Sequence, residues 1–135
     1  MFLDASAIIA MLGDEKEGDA FADALAAAPA RLTSPIAVWE SVAGLAKEYA
    51  LSIPEARRKV AEFLAAANAI IVPLGERELE FALDAYDHFG KGRHPARLNL
   101  GDCFAYAAAK TQGAPLLHKD EGFWLTDAAQ ARERE

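Results

Sequence analysis

Met1-Phe-Leu-Asp-Ala-Ser-Ala-Ile-Ile-Ala10 opens the chain with three apolar residues, an acid, and then a second apolar stretch. Met1–Leu3 has the length of a short buried strand, and Asp4 is the residue type that ends a strand and caps the helix after it. Three further short apolar runs repeat the pattern: Ala30–Thr33, Ala69–Val72 and Pro115–His118. Helical segments separate them. That alternation predicts an α/β domain, with a small parallel sheet covered by helices on both faces.

The helices are read from their period and their ends. Residues 15–28 set Ala20, Phe21, Ala24, Leu25 and Ala28 on one stripe; residues 53–67 do so with Ile53, Ala56, Val60, Phe63, Leu64 and Ala67. Residues 76–89 repeat it with Leu79, Ala82, Leu83, Tyr86 and Phe89. Ser34-Pro35 reads as an N-cap with proline at the first helical position, and Ser52-Ile-Pro-Glu55 as a capping box. Gly90 stands where a helix ending at Phe89 wants a left-handed residue. A further helix runs over Gly101–Lys110. The tail from Ala128 to Glu135 reads as helical or frayed. Alanine, 31 of 135 residues, supports a helix-rich chain whose elements lie close together.

One hundred and thirty-five residues suit one domain, 1–135, with a real core. A single cysteine, Cys103, leaves no intramolecular disulfide and no multi-thiolate zinc site, and it fits a reducing compartment. The apolar N-terminus lacks a basic leader and carries Asp4, and Phe63–Leu74, cut by Asn68 and Pro73, is too short to span a bilayer. The expectation is a cytoplasmic protein with no membrane association. The net charge of −7 excludes a nucleic acid held by bulk positive charge.

Four acids stand in telling places. Asp4 directly follows the first strand and Asp120 follows the fourth by two residues, and ligand sites in open α/β sheets form beyond the carboxyl ends of strands. Both also suit plain helix caps. Glu40, in the helix begun by Pro35, has Ile36, Ala37, Ala43 and Gly44 as helical neighbours, with Lys47 two turns away. An unpaired carboxylate on such a face neutralises, pairs or binds a cation, unless it reaches solvent at the rim. Asp102 opens the 101–110 helix, where the dipole alone favours an acid, yet its neighbours Ala105, Tyr106 and Ala109 make a smooth inward face. Brought together, each pair of such acids costs on the order of 4 kcal/mol at 4 Å and an effective dielectric of 20. A hard divalent cation removes that cost. The chemistry suggested is metal-assisted attack of water on a phosphodiester, with Mg²⁺ as cofactor and Mn²⁺ as a substitute.

These residues carry a resemblance. Phe2-Leu-Asp-Ala-Ser-Ala-Ile-Ile-Ala10 is similar to the opening of PIN domains, and Ser34-Pro-Ile-Ala-Val-Trp-Glu-Ser-Val-Ala-Gly-Leu45 resembles their second motif. Leu98-Asn-Leu-Gly-Asp-Cys-Phe-Ala-Tyr-Ala-Ala-Ala-Lys110 is similar to the third-acid motif of VapC-type ribonuclease toxins, and Gly113–Leu117 and Phe123–Asp127 continue the match. The resemblance covers nearly the whole chain, and residues 98–127 are its most specific part.

It implies a three-layer PIN-like sandwich with a four- to five-stranded parallel sheet and about seven helices. The implied activity is that of a Mg²⁺-dependent endoribonuclease, the toxin of a toxin–antitoxin system, with an RNA substrate, a VapB-like antitoxin and a homodimeric assembly. Asp4 and Asp102 become the principal metal ligands, directly or through water, Glu40 and Asp120 complete the catalytic acids, and Ser6 steadies Asp4 or a metal-bound water. VapC-type relatives place acids closer to the phenylalanine, so the fourth acid here is Asp120 or Glu121. Thr126 and Asp127 continue the match as supporting residues, but no apolar residue follows them to mark a final strand.

Lys91, Arg93 and Arg97, three cations without an acid ahead of Asp102, are candidates for RNA contact, or simply a solvated loop. Trp39 and Trp124 suit base stacking, a core or an interface. His88, His94 and His118 show no ligand spacing, and Cys103 reads as a small packing residue. Two rivals remain. A haloacid-dehalogenase-like phosphatase would use Asp4 as nucleophile but wants an acid at position 6, where Ser6 stands. A non-catalytic PIN-like binding module would keep the fold and lose one or more of the acids.

Overall fold

A computed structural model describes residues 1–134. Four two-residue strands form one parallel sheet: β1 (Phe2–Leu3), β2 (Leu32–Thr33), β3 (Ile70–Ile71) and β4 (Leu116–Leu117), in the order β3-β2-β1-β4. Six α-helices surround it: α1 (Ala5–Leu12), α2 (Gly18–Ala27), α3 (Pro35–Glu48), α4 (Ile53–Ala66), α5 (Glu76–Phe89) and α6 (Leu100–Thr111). A 3₁₀ helix, Glu121–Leu125, makes the seventh. The predicted strands are all present, trimmed to their paired centres.

Three layers follow from the alternation of side chains along a strand. Phe2 and Leu116 point into a core shared with α5, α6 and Phe123; Leu3 and Leu117 point the other way, into one built with α1, Phe21, Leu45, Val60 and Leu64. All four strand residues are fully buried, so each face of the sheet is covered. Ile70 and Ile71 of the edge strand remain exposed.

The caps follow the sequence. Ser34 accepts from the Ala37 amide at 3.1 Å and Ser52 from the Glu55 amide at 3.2 Å. Two expectations are corrected. Gly90 is extended, at φ −68° and ψ 157°, because the chain turns at once to bridge Leu98. A Cβ at Gly90 would collide with the Tyr86 carbonyl and ring, so close approach, not a left-handed turn, demands the glycine. The tail is neither helical nor frayed at its start: Leu116 N–H donates to Ala129 O at 2.8 Å and Ala131 N–H to Leu116 O at 3.0 Å. That parallel bridge at Gln130 covers the free edge of β4. Glu135 lies outside the described residues. Among those residues, no helix is long and apolar enough to cross a membrane.

Candidate active site

The sheet order places a switch point between β1 and β4: the chain leaves β1 toward β2 on one side and returns to β4 on the other. The crevice beyond the carboxyl ends of two such strands is where open α/β sheets bind ligands. Asp4 sits at the end of β1 as the N-cap of α1, only 4% exposed. Asp120 ends the segment after β4 and caps the 3₁₀ helix, accepting from the Gly122 amide at 2.8 Å.

Ser6 joins the two strand ends. Its hydroxyl donates to Asp4 Oδ2 and accepts from the Lys119 amide at 2.9 Å, while its own amide donates to the same Asp4 oxygen at 3.1 Å. Asp102 arrives from α6. It stands at the third position of that helix in a reciprocal capping box: Asp102 N–H donates to Asn99 Oδ1 at 2.9 Å, and Asn99 N–H to Asp102 Oδ2 at 3.0 Å. Asp120 lies close enough for its charge to act on the Asp102 carboxyl and on that of Asp4.

Glu40 completes the group from α3. Its carboxyl lies over Gly101, where a Cβ would overlap all three terminal carboxyl atoms. Gly101 therefore leaves room for the Glu40 carboxyl beside the start of α6.

The protonation energetics match this geometry. Burial pushes the Asp4 carboxyl up, offset in part by the two bonds from Ser6 and raised again by Asp120. Burial, then the charge of Asp4, lifts Glu40 to about 7. Burial chiefly, with Asp120 and Asp4 adding, lifts Asp102 to about 8 against the bond from Asn99. No cation among the described residues pairs with the four. Lys119, next to Asp120, turns away to Glu15 (2.5 Å) and Glu17 (3.7 Å).

The remaining predicted residues fall elsewhere. Glu121 is exposed and pairs with Arg134 at 2.6 Å, so of the two candidates for the fourth acid it is Asp120 that faces the others. Thr126 donates to Phe123 O at 2.8 Å and accepts from the Ala128 amide at 3.2 Å. Asp127 accepts from the Tyr106 hydroxyl and from Lys110 Nζ at 2.9 Å, on the far end of α6. Both fasten the tail, apart from the cleft.

Lys91, Arg93 and Arg97 are exposed on a loop whose Ala96 carbonyl packs against Gly122, beside Asp120. Arg93 is already engaged, 4.0 Å from Asp87 and 5.4 Å above the Tyr86 ring. Cys103 is buried, as read. His118 is buried too: its Nε2 meets Gln130 Oε1, and its ring packs edge-on against Phe123 and Trp124.

Sequence reasoning missed two contributors, Gly101 and the Asn99–Asp102 box. The box was visible as Asn-x-x-Asp ahead of an apolar helix. The meaning of Gly101 lay only in the crossing of two helices.

The donor set fits a hard divalent cation: carboxylate oxygens, desolvated, mutually repelling and without a Lys or Arg ion pair among the described residues, with only the His118 ring easing the charge of Asp4. Among the described residues no three acid, imidazole or thiol side chains form a ready cage, which is compatible with the one or two carboxylates plus waters usual for Mg²⁺.

A parallel sheet between helices, with a cation-free carboxylate cleft at its switch point, defines a PIN-like α/β domain. The PIN domain family model matches residues 1–128. The chain is 37% identical over 129 residues to ribonuclease VapC of Mycolicibacterium smegmatis, covering 96% of this chain and 98% of that protein. It is 39% identical over 135 residues to ribonuclease VapC28 of Mycobacterium tuberculosis, covering 99% of each. Its fold is similar to that of M. tuberculosis VapC20, described as a sarcin-ricin-loop-cleaving toxin, with a TM-score of 0.74 at 16% identity over 98% of both chains. A toxin–antitoxin complex from Klebsiella pneumoniae shares the fold at a TM-score of 0.64 and 19% identity over 88% of each chain. The chain belongs to the PIN-domain family, in its VapC branch.

Proposed function

We propose that this chain is a Mg²⁺-dependent endoribonuclease and the toxin partner of a VapB-like antitoxin. The observation that carries the reading is the convergence of Asp4, Glu40, Asp102 and Asp120 without a Lys or Arg ion pair among the described residues, whereas Asp127, Glu15 and Glu121 find partners at Lys110, Lys119 and Arg134. Asp4 and Asp102 would hold the ion, with Mn²⁺ as a substitute. When bound, the ion supplies charge neutralisation for the phosphodiester and a lowered pKa for an attacking water.

The chain's own residues prepare the rest. Ser6 fixes one Asp4 oxygen and leaves the other to the cleft. The Asn99 box fixes one oxygen of Asp102 in the same way. Glu40, near neutrality in its acidity, can hold or release a proton at the rim. Lys91, Arg93 and Arg97 would meet the RNA backbone flanking the cleft. An antitoxin segment carrying Arg or Lys would pair with the acids and compete with the ion. Assembly as a homodimer is part of the proposal, with the small-residue face of residues 61–69 available to it.

Cleavage of single-stranded RNA by the purified protein tests the reading. With Mg²⁺ the expected products carry 5′-phosphate and 3′-hydroxyl ends. EDTA should stop the reaction, and Asp4→Asn should abolish it while the circular dichroism of the fold persists. Full metal-dependent cleavage by Asp4→Asn would overturn the site, and release of phosphate from a phosphomonoester without RNA cleavage would favour a phosphatase.

A further inference from the structure

We propose that the groove between the outer faces of α3 and α4 is a nucleobase subsite, in which Trp39 stacks on an unpaired base and Arg57 meets the adjoining phosphate. The inference rests on the ribonuclease reading and extends it to a substrate contact outside the acidic cleft.

Trp39 immediately precedes Glu40 on α3. Consecutive helical residues project about 100° apart, so Glu40 turns toward Gly101 and α6 while Trp39 turns outward. The two side chains are still separated by no more than a helix diameter, about 10–12 Å. A strand of RNA with one phosphate at the cleft therefore carries a neighbouring base past the indole.

The indole is 71% exposed, more than any other large apolar side chain described; Leu100 follows at 67%. It edges a groove of about 450 Å³ floored by Val38, Val42 and Ala43 and closed by Ile53 and Arg57. That volume lies within the range of small-ligand sites, roughly 300–1,000 Å³.

Charge selects the occupant. No acid lines the groove, in a chain of net charge −7. Arg57 belongs to Arg57-Arg58-Lys59, three consecutive cations on α4, and whereas Arg58 pairs with Glu62 at 3.9 Å, Arg57 has no ion pair among the described residues. A flat aromatic face beside an unpaired guanidinium suits a stacked base and its phosphate. Another apolar groove, of about 270 Å³ between α5 and α6, is lined by Leu79, Leu83, Tyr86, Leu100 and Phe104 with no cation among its lining residues, and a third, of about 570 Å³ around Met1, Ala30 and Pro115, offers neither an aromatic face nor a basic side chain.

The test has a binding arm and a kinetic arm. In the Asp102→Asn, Trp124→Phe double variant, Trp39 is the only indole left. Single-stranded U15 and A15 RNA in Mg²⁺ buffer should quench its fluorescence to saturation, a 15-base-pair RNA duplex should not, and Arg57→Gln should weaken binding and lower its salt slope by about 0.7. In the otherwise native enzyme, Trp39→Ala should raise KM about tenfold or more with kcat within twofold, and Trp39→Phe should recover part of the loss.

Absence of quenching by either single strand overturns the subsite, as does an unchanged KM for Trp39→Ala in an enzyme that cleaves. Loss of self-association on light scattering with unchanged KM would assign the groove to a protein interface instead. Quenching by a protein that cleaves no RNA would keep the subsite and overturn the nuclease reading, so the two fail separately.

Discussion

The two ends of α6 carry the same chemical group to opposite effect. At its first turn Asp102 is half-buried among Asp4, Glu40 and Asp120, and its carboxyl is lifted to about 8. At its last turn Asp127, reaching in from the tail, takes bonds from Tyr106 and Lys110 that hold its carboxyl below the ordinary range. Both acids lie in the most specific block of the sequence, three residues of which (Asp102, Tyr106, Lys110) fall one turn apart on one face. What separates a site acid from a fastening acid here is the company of a cation, and the chain distributes its cations accordingly. Lys110, Lys119 and Arg134 serve other acids and leave the cleft itself unserved.

The contrast is broken most sharply by exchanging carboxyl for amide at each end. Asp102→Asn should lose RNA cleavage by about 100-fold or more, because it removes a carboxylate proposed to hold the metal ion, whereas Asp127→Asn should retain activity within about threefold. A gel-based cleavage assay with Mg²⁺ decides it; equal losses would erase the distinction.

The next effect is on stability as a function of pH. Glu40 and Asp102 are raised in the folded protein, so that without metal it keeps protons the unfolded chain has released. Their contribution is therefore complete below about pH 4 and is lost as pH rises through 7 and 8. Melting in EDTA should show Tm falling from pH 5 to pH 8.5, and 5 mM Mg²⁺ should raise Tm more at pH 8.5 than at pH 5. Asp102→Asn should flatten the slope. Asp127 has the opposite sign: its depressed value gives stability that is present at neutral pH and lost in acid, so the effect of Asp127→Asn should be felt at pH 7 and shrink as pH falls below the ordinary carboxylate range.

Gly101→Ala should come third. The methyl group must move the Glu40 carboxyl, the far end of a flexible side chain, so stability should change little while kcat falls, because the displaced group belongs to the cleft. A normal kcat with a lowered melting point would make Gly101 a packing residue only. Tyr106→Phe, which deletes one bond at the other end of the helix, should cost about 1 kcal/mol in urea unfolding and leave cleavage unchanged. The smallest change belongs to Glu121→Gln. It breaks an exposed pair with Arg134 and should stay within about 0.5 kcal/mol with full activity, and a large activity loss would return Glu121 to the cleft.

Much of the molecule was legible because its signals are local. Apolar runs of strand length gave all four strands, and Ser34-Pro35 and Ser52 gave two helix starts to the residue. Asp4 was legible as a strand-end acid, and Glu40 as a charge on a face of small residues. Where the reading went astray, the cause lay in tertiary contact. Gly90 has the right residue for a left-handed cap and adopts an extended conformation, since Tyr86 and Leu98 dictate the path. The tail read as helical or frayed, yet the exposed edge of β4 offered backbone partners that a short helix could not match. Asp127 matched the family pattern next to Thr126, but pattern alone does not say which end of α6 a side chain meets. Choosing between Asp120 and Glu121 likewise needed the direction of each carboxyl, which one residue of chain reverses.

The hydroxyl of Ser6 bridges Asp4 to the Lys119 amide across 113 residues of chain. In the order of synthesis, that bridge is almost the last thing to form. Asp4 is made at once, Glu40 and Asp102 follow, and β4 with Asp120 comes out only after α6 is complete. The pairing of β1 with β4 is the longest-range contact in the sheet, and pairings of that kind form late and slowly. A partly made chain therefore carries every α-helix and three of the four acids but no closed cleft. By this arrangement the machinery that makes the protein would not meet its finished site until the chain was nearly complete.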